Sequence, residues 1–314
     1  MTTTVPLQHK NFQRSDIPDQ TGRTILVTGA NAGLGLESAT ALAQAGARVL
    51  LACRNQETGA AALARVRKAG PNAEHRLIAL DLADLSSVRA AAAEASTGAI
   101  DVLINNAGVM AIPFARTRDG FEMQIGTNHL GHFALTDGVL DALLRAPAPR
   151  VVTLASIAHR RGSVRVDDLS FDKRAYNRMV AYSQSKLANL LFSSELSRRG
   201  AAAGLLSVAA HPGVAATSLF DSMIPPIPGA KSITQLGLRI VGNSEAAGAL
   251  SQLYAATMPD VRSDDYLGPN AFNGFRGPVL RSPRARRARD LERAAQLWDK
   301  SVELTGATFA ALSR

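Results

Sequence analysis

TILVTGANAGLGLES, residues 24–38, decides the fold. TILVTG reads as a short strand rich in aliphatic and β-branched residues, and the Ala-rich run ending at Gly46 reads as a helix. Between them stand Gly29, Gly33 and Gly35. Glycines at such a junction allow a tight turn and let the backbone approach a pyrophosphate, whose charge then meets the N–H groups and dipole of the helix start. The spacing is TGxxxGxG, a departure from the GxGxxG dinucleotide fingerprint. Taken alone, the turn is equally well structural; its strand-turn-helix setting favours phosphate binding.

The same alternation continues outward. ARVLLAC (47–53), HRLIALD (75–81), IDVLINNAG (100–108), RVVTLAS (150–156) and LLSVAAHPG (205–213) complete six strand candidates separated by helical stretches. Near-continuous apolar strands belong to a parallel sheet covered on both faces. The expected architecture is an α/β single doubly wound parallel sheet with helices on both faces, its ligands beyond the carboxyl ends of the strands. YLGPNAFNGFRGP (266–278) supplies a seventh strand and a glycine-rich turn, and 285 to about 304 reads as a terminal helix with Leu291, Ala294, Ala295 and Trp298 on one packed side. Residues 1–20 form a polar leader, 21–305 a single domain and 306–314 a tail. FDSMIPPIPGAKSITQL (220–236) interrupts the pattern, so a loop or lid is expected near 217–236.

Composition narrows the function classes. With 314 residues, 46% hydrophobic and 19% charged, the chain can bury a sizeable core. Cys53 is the single cysteine, so no intrachain disulfide forms. The first twenty residues lack the apolar centre of a signal peptide, and no run approaches the roughly 18 apolar residues of a membrane span. A soluble cytoplasmic protein is expected. The formal charge is +9, but six arginines of the acid-free stretch RGPVLRSPRARRAR (276–289) carry much of it. Without interleaved aromatics or a reader motif this is a solvated or partner-facing segment rather than a nucleic-acid surface.

The second strand ends in LLACRN. A NAD-binding chain presents an acid there to the ribose hydroxyls. Here Cys53 takes that place and Arg54 follows, a guanidinium fork suited to the 2′-phosphate of NADP. The plain alternative is an arginine pointing into solvent. Farther on, Tyr182 and Lys186 of AYSQSKLANLLF (181–192) stand four apart on a helix, hence on one side. A positive charge beside a phenol favours phenolate and is expected to lower its pKa from about 10, making a proton donor. The alternative is a surface tyrosine and a solvated lysine. His129 and His132 lack any accompanying metal motif and read as structural; His211 reads as packing or rim. No metal is expected.

TGANAGLG, DL (81–82), NNAG (105–108), TNHLGHF (127–133), Ser156, YSQSK (182–186) and HPGVAAT (211–217) occur in this order. With that set, the chain resembles the short-chain dehydrogenase/reductase family from about residue 20 to 305. The wording of NHLGHF and YSQSKLANLLF, with DIPDQTGR before the first strand, is similar to the retinol dehydrogenase-like branch, which also holds WW-domain-containing oxidoreductases and protochlorophyllide reductases. The resemblance implies a Rossmann-type sheet. It implies a cofactor site of Gly29, Asn31, Gly33, Leu34 and Gly35, with Arg54 at the 2′-phosphate, Asp81 and Leu82 flanking adenine, and Asn106, Ala107 and Gly108 on the ribose edge. Pro212, Gly213, Ala215 and Thr217 would meet the nicotinamide carboxamide. Asn128 would hold a relay water, Ser156 orient the substrate oxygen, Tyr182 transfer the proton, and Lys186 contact the nicotinamide ribose. The 26 residues from Ser156 to Tyr182 exceed the shortest family spacing, so HRRGSVRVDDLSFDKRAYNR is expected on the substrate rim.

The chemistry agrees with the carry-over. Hydride transfer leaves alkoxide-like charge on the carbonyl oxygen, and two donors converging there stabilise the transition state more than the ground state. The expected activity is an NADP(H)-dependent oxidoreductase interconverting an alcohol and a carbonyl on a lipophilic small molecule. The rival is a cofactor-binding scaffold or redox sensor with little turnover. The resemblance also implies a homo-oligomer, a dimer or tetramer through the helices after the fourth and fifth strands.

Overall fold

Strands apolar at nearly every position must be covered on both faces, and the chain meets that demand with one sheet between two helical layers. The computed structural model describes residues 7–9, 11–213 and 243–313. The strands are β1 (Thr24–Thr28), β2 (Arg48–Cys53), β3 (Arg76–Ala79), β4 (Val102–Asn105), β5 (Arg150–Leu154), β6 (Leu206–Ala210), β7 (Tyr266–Ala271) and β8 (Arg276–Arg281). Their order is β3-β2-β1-β4-β5-β6-β7-β8. All neighbours run parallel except β8, which returns antiparallel on β7. The doubly wound α/β sheet expected from the sequence is therefore present, with one added antiparallel edge.

The helices are α1 (Gly33–Gln44), α2 (Gln56–Ala69), α3 (Leu85–Ala95), the single turn α4 (Met123–Ile125), α5 (Gly131–Gly138), α6 (Leu140–Leu144), α7 (Arg178–Gly200), α8 (Glu245–Thr257) and α9 (Leu291–Thr305). Alternation along β1 divides the core. Ile25 and Val27 pack with Leu42 of α1, Val66 of α2 and Leu253 of α8. Leu26 faces the opposite layer with Val88 of α3, Phe133 of α5 and Trp298 of α9. Side chains cap most of the long helices: Asn55 accepts from Thr58 N–H, Asp84 from Ser86 N–H, Asn177 from Met179 N–H and Asp290 from Arg293 N–H. At the start of α1, Ala32 supplies no such cap.

Several expectations change. The arginine-rich stretch is solvated only in part: Arg276–Arg281 is β8, Arg281 Nε donates to Asp265 Oδ1 at 2.9 Å and Arg284 pairs with Asp264 at 2.7 Å, while Arg276, Arg286, Arg287 and Arg289 are exposed. Its acids lie across the hairpin, which is why the local sequence shows none. The terminal helix starts at Leu291 rather than 285, because Asp290 caps it, and Leu291 is exposed while Ala294, Leu297, Trp298 and Ser301 are buried. The polar leader contributes two buried anchors, Leu7 and Phe12, the latter edge-on to Tyr254 at 4.9 Å.

The helix after the fifth strand packs deeply within the chain. All of α7 from Ala181 to Leu196 is buried. Trp298 of α9 lies 5.0 Å from the Phe133 ring, and Phe309 of the tail lies 4.9 Å from Phe133 and 4.4 Å from Trp298. The lid expected near 217–236 lies outside the described residues.

Candidate active site

The strand order reverses between β1 and β4, and a cleft of about 310 Å³ opens beyond their carboxyl ends. Gly29 follows β1 with φ +64° and donates its N–H to the Ala52 carbonyl at 2.8 Å. A Cβ on Gly35 would stand 2.2 Å from the Gly29 carbonyl oxygen, so the helix can press against the turn only without a side chain. Asn31, Gly33, Leu34 and Gly35 line the cleft at the start of α1. A helix start with no side-chain cap and a glycine-bearing turn fit the two phosphates of a dinucleotide.

The opposite wall is the loop Asn106–Gly108. The Thr28 hydroxyl accepts from the N–H groups of Asn106 (2.9 Å) and Ala107 (3.0 Å), and Asn106 Nδ2 donates to the Thr28 carbonyl at 2.7 Å. Thr28 Oγ1 also meets His132 Nε2 at 2.9 Å, and His132 Nδ1 reaches the Asn128 carbonyl at 3.1 Å. A Cβ at Gly108 would come within 3.0 Å of Asn128 Oδ1. Toward the far end Arg54, Asp81 and Leu82 line the cleft, with Arg54 exposed just beyond the buried Cys53.

Tyr182 and Lys186 enter the near end from α7. Lys186 Nζ donates to the Leu154 carbonyl at 3.1 Å and lies 5.8 Å from the centre of the Tyr182 ring. The Ser156 hydroxyl stands close enough to the Tyr182 phenol to lower its pKa. Asn128 Oδ1 accepts from Val109 N–H at 2.8 Å and its Nδ2 donates to Val109 O and Ser185 Oγ, both at 2.9 Å, tying the loop to α7. Asn128, Ser156, Tyr182 and Lys186 are thus linked around one end of the cleft, through Val109, Ser185 and Leu154.

One expectation about this group is overturned. The lysine was to lower the tyrosine's pKa; instead burial pushes the phenol up to about 12, with the Ser156 hydroxyl pulling partly back. Burial likewise pushes the Lys186 ammonium down to about 8. Removing each group from water penalises its charged form, and that burial is the largest influence on both.

Pro212 lines the cleft at the end of β6. Gly213 follows with φ +74°, where a Cβ would strike the Phe275 carbonyl oxygen at 2.3 Å. Ala215 and Thr217 lie outside the described residues. The inserted stretch after Ser156 is stitched to the loop before α4: Gln124 Nε2 donates to Tyr176 Oη at 2.9 Å, and Tyr176 Oη donates to Ile112 O at 3.0 Å. Asn55, Leu80, Thr127 and Leu154 also line the cleft and were not foreseen. Leu80 and Leu154 sit at strand ends, a position the sheet reading could have flagged; the Leu154 contribution is a backbone carbonyl, which leaves no mark in sequence.

His129 and His132 face different partners, Ser301 Oγ at 2.9 Å and the Thr28–Asn128 pair. Among the described residues no group of three or more His, Cys, Asp or Glu could hold a metal ion. No helix among them is long and apolar enough to cross a membrane.

Residues 23–226 match the family described as short chain dehydrogenase. Human retinol dehydrogenase 13 is 41% identical over 292 residues, covering 91% of this chain and 85% of that protein. Mouse retinol dehydrogenase 11 is 44% identical over 296 residues, covering 91% and 87%. A crystal structure of an uncharacterized protein from Mycobacterium paratuberculosis is 42% identical, with TM-score 0.78 over 95% of this chain and 99% of that one. At 24% identity, a Beutenbergia cavernae protein assigned as an NAD(P)-dependent gluconate 5-dehydrogenase, with NADP bound, shares the fold at TM-score 0.59 over 76% and 90%.

Proposed function

The chain belongs to the short-chain dehydrogenase family, and from that premise we propose that it is an NADP(H)-dependent oxidoreductase interconverting an alcohol and a carbonyl on a lipophilic small molecule. The observation that carries the reading is the meeting, in one cleft, of an uncapped glycine-lined helix start and the Tyr182–Lys186 pair.

Gly29, Gly33 and Gly35 would hold the pyrophosphate, Asp81 and Leu82 the adenine, and Asn106 to Gly108 the ribose edge. Arg54 supports the choice of NADP, since no acid stands at the end of β2 to repel a 2′-phosphate and a guanidinium is at hand. The cofactor, when bound, supplies or accepts the hydride. Tyr182 Oη, neutral at ordinary pH because burial holds its pKa high, gives its proton to the substrate oxygen in the reducing direction. The Ser156 hydroxyl is the second donor to that oxygen. Lys186, with a pKa of about 8, still carries its charge near neutrality beside the phenolate that forms. Asn128 keeps the loop and α7 in register.

A lipophilic substrate is supported by what surrounds the phenol. Met110 and Ala111 pack on Tyr182. Met179 and Val180, just ahead of it on α7, are exposed, as is Phe114, whose ring stands edge-on to Tyr176 at 5.1 Å. Exposed apolar side chains in the first turn of α7, the turn before Tyr182, support an apolar ligand.

The test is to incubate the protein with NADPH and a panel of aldehydes, ketones and quinones of increasing chain length while following cofactor absorbance. Turnover should rise with chain length, since each buried methylene is worth about 0.8 kcal/mol. No turnover with any member contradicts the activity; equal kcat/KM from short to long chains contradicts the lipophilic pocket alone.

A further inference from the structure

Ser156 starts a short 3-10 turn, Ile157–Arg161, that lies directly on α7: a Cβ at Gly162 would stand 2.4 Å from the Ser183 carbonyl oxygen. The Ser156 carbonyl is gripped twice by one residue. His159 N–H donates to it at 3.0 Å, and His159 Nδ1 lies 2.6 Å from it. The ring itself has no solvent exposure and stands edge-on to Tyr266 at 5.4 Å. On its other edge, the Ala285 N–H donates to Nε2 at 3.2 Å.

Tyr266 Oη also lies 3.5 Å from Nδ1, and as a hydroxyl it can accept, so the contacts together leave one protonation state. A carbonyl oxygen can only accept and a backbone N–H can only donate, so both edges are satisfied only by the neutral ring with its proton on Nδ1. Ala285 belongs to the arginine-rich stretch. Arg284 anchors that stretch to Asp264 and to Ser194, and Arg287 Nη1 donates to the Gly162 carbonyl at 3.0 Å. Residues 284–287 therefore hold the turn at His159 and again at its far end, Gly162.

We propose that His159 is a positioning residue for Ser156, its Nδ1–H fixing the Ser156 carbonyl while the arginine-rich segment, through Ala285 and Arg287, fixes the ring and the turn. This assigns to the segment a task inside the molecule: it keeps the Ser156 hydroxyl aimed at the Tyr182 phenol. The inference rests on the role given to Ser156 above. Neither His159 nor Arg287 touches the reacting atoms, so both act through Ser156.

The experiment has two arms. In the first, nitrogen-15 imidazole spectra of the whole protein should show His159 protonated at Nδ1, unchanged between about pH 6 and about pH 8; a proton on Nε2 overturns the proposal whether or not the protein turns anything over. In the second, His159→Leu should lower kcat by about tenfold or more while leaving NADPH affinity unchanged, the scale of a misplaced reacting group. His159→Asn, which keeps a donor nitrogen at the δ position, should restore most of kcat, and Arg287→Ala should lower kcat severalfold with the same cofactor affinity. A folded His159→Leu protein with kcat within about twofold of wild type, or an Asn variant no better than Leu, overturns the proposal. If His159→Leu does not fold, the spectrum and Arg287→Ala decide. Wild-type protein inactive on every substrate would instead remove the functional reading and leave the tautomer to be read on its own.

Discussion

Tyr182 and Lys186 stand one helical turn apart on α7, and burial moves them in opposite directions, the phenol up to about 12 and the ammonium down to about 8. Each is thereby kept closer to its neutral form than it would be in water. A neutral phenol is a proton donor in waiting, and the neighbouring Ser156 hydroxyl partly offsets the upward push.

Cofactor choice turns on Arg54. NADPH should bind more tightly than NADH by at least about tenfold, a modest value for a charge-assisted contact because the guanidinium is exposed. Arg54→Ala should lose most of that preference and leave NADH affinity nearly as it was. Titration of both nucleotides by fluorescence decides the matter, and equal affinities in the wild type would refute the assignment.

Acid should unfold the protein earlier than its carboxylates require. Burial pushes His129 and His211 down to about 3 and His132 and His159 down to about 4. These folded values lie below the unfolded value of about 6.5, so the unfolded chain binds the extra protons. The stabilising contribution is complete above pH 6.5 and is lost as pH falls toward 4 for His132 and His159 and toward 3 for His129 and His211. At about pH 5 the slope should approach four protons, roughly 5 kcal/mol per pH unit as an upper bound. Urea midpoints measured from neutrality to pH 5 check this, and a flat midpoint over that range contradicts it.

Much of this was legible because it is local. The glycine turn is fixed by three residues between a strand and a helix, and Tyr182 and Lys186 by an offset of four. The strand runs showed themselves by apolar continuity, and their order placed the cleft. What stayed hidden depends on partners far away in the chain. Asp265 meets Arg281 only once β7 and β8 pair, and Ala285 meets His159 across 126 residues. The pKa direction of Tyr182 was misjudged for a related reason: an i,i+4 offset reveals the neighbour but not the depth of burial, and burial dominates there.

The tail gives a stability test. Phe309 is buried against Trp298 and Phe133. Phe309→Ala should cost roughly 3–5 kcal/mol of folding stability, the usual loss for a buried phenylalanine. NADPH affinity of the folded fraction should not move, since the cleft lies elsewhere. A change in urea stability below about 1 kcal/mol would show that the tail does not close the core.

The most direct measurement is Tyr182→Phe, read for binding and turnover in the same preparation. Removing one oxygen leaves the ring packed on Met110 and Ala111 and the cofactor cleft lined as before. NADPH affinity should stay within about twofold of wild type while turnover of the best carbonyl substrate falls by at least about 10²-fold, the lower range for loss of a general acid. Turnover within a factor of about two or three of wild type would contradict proton transfer from Tyr182.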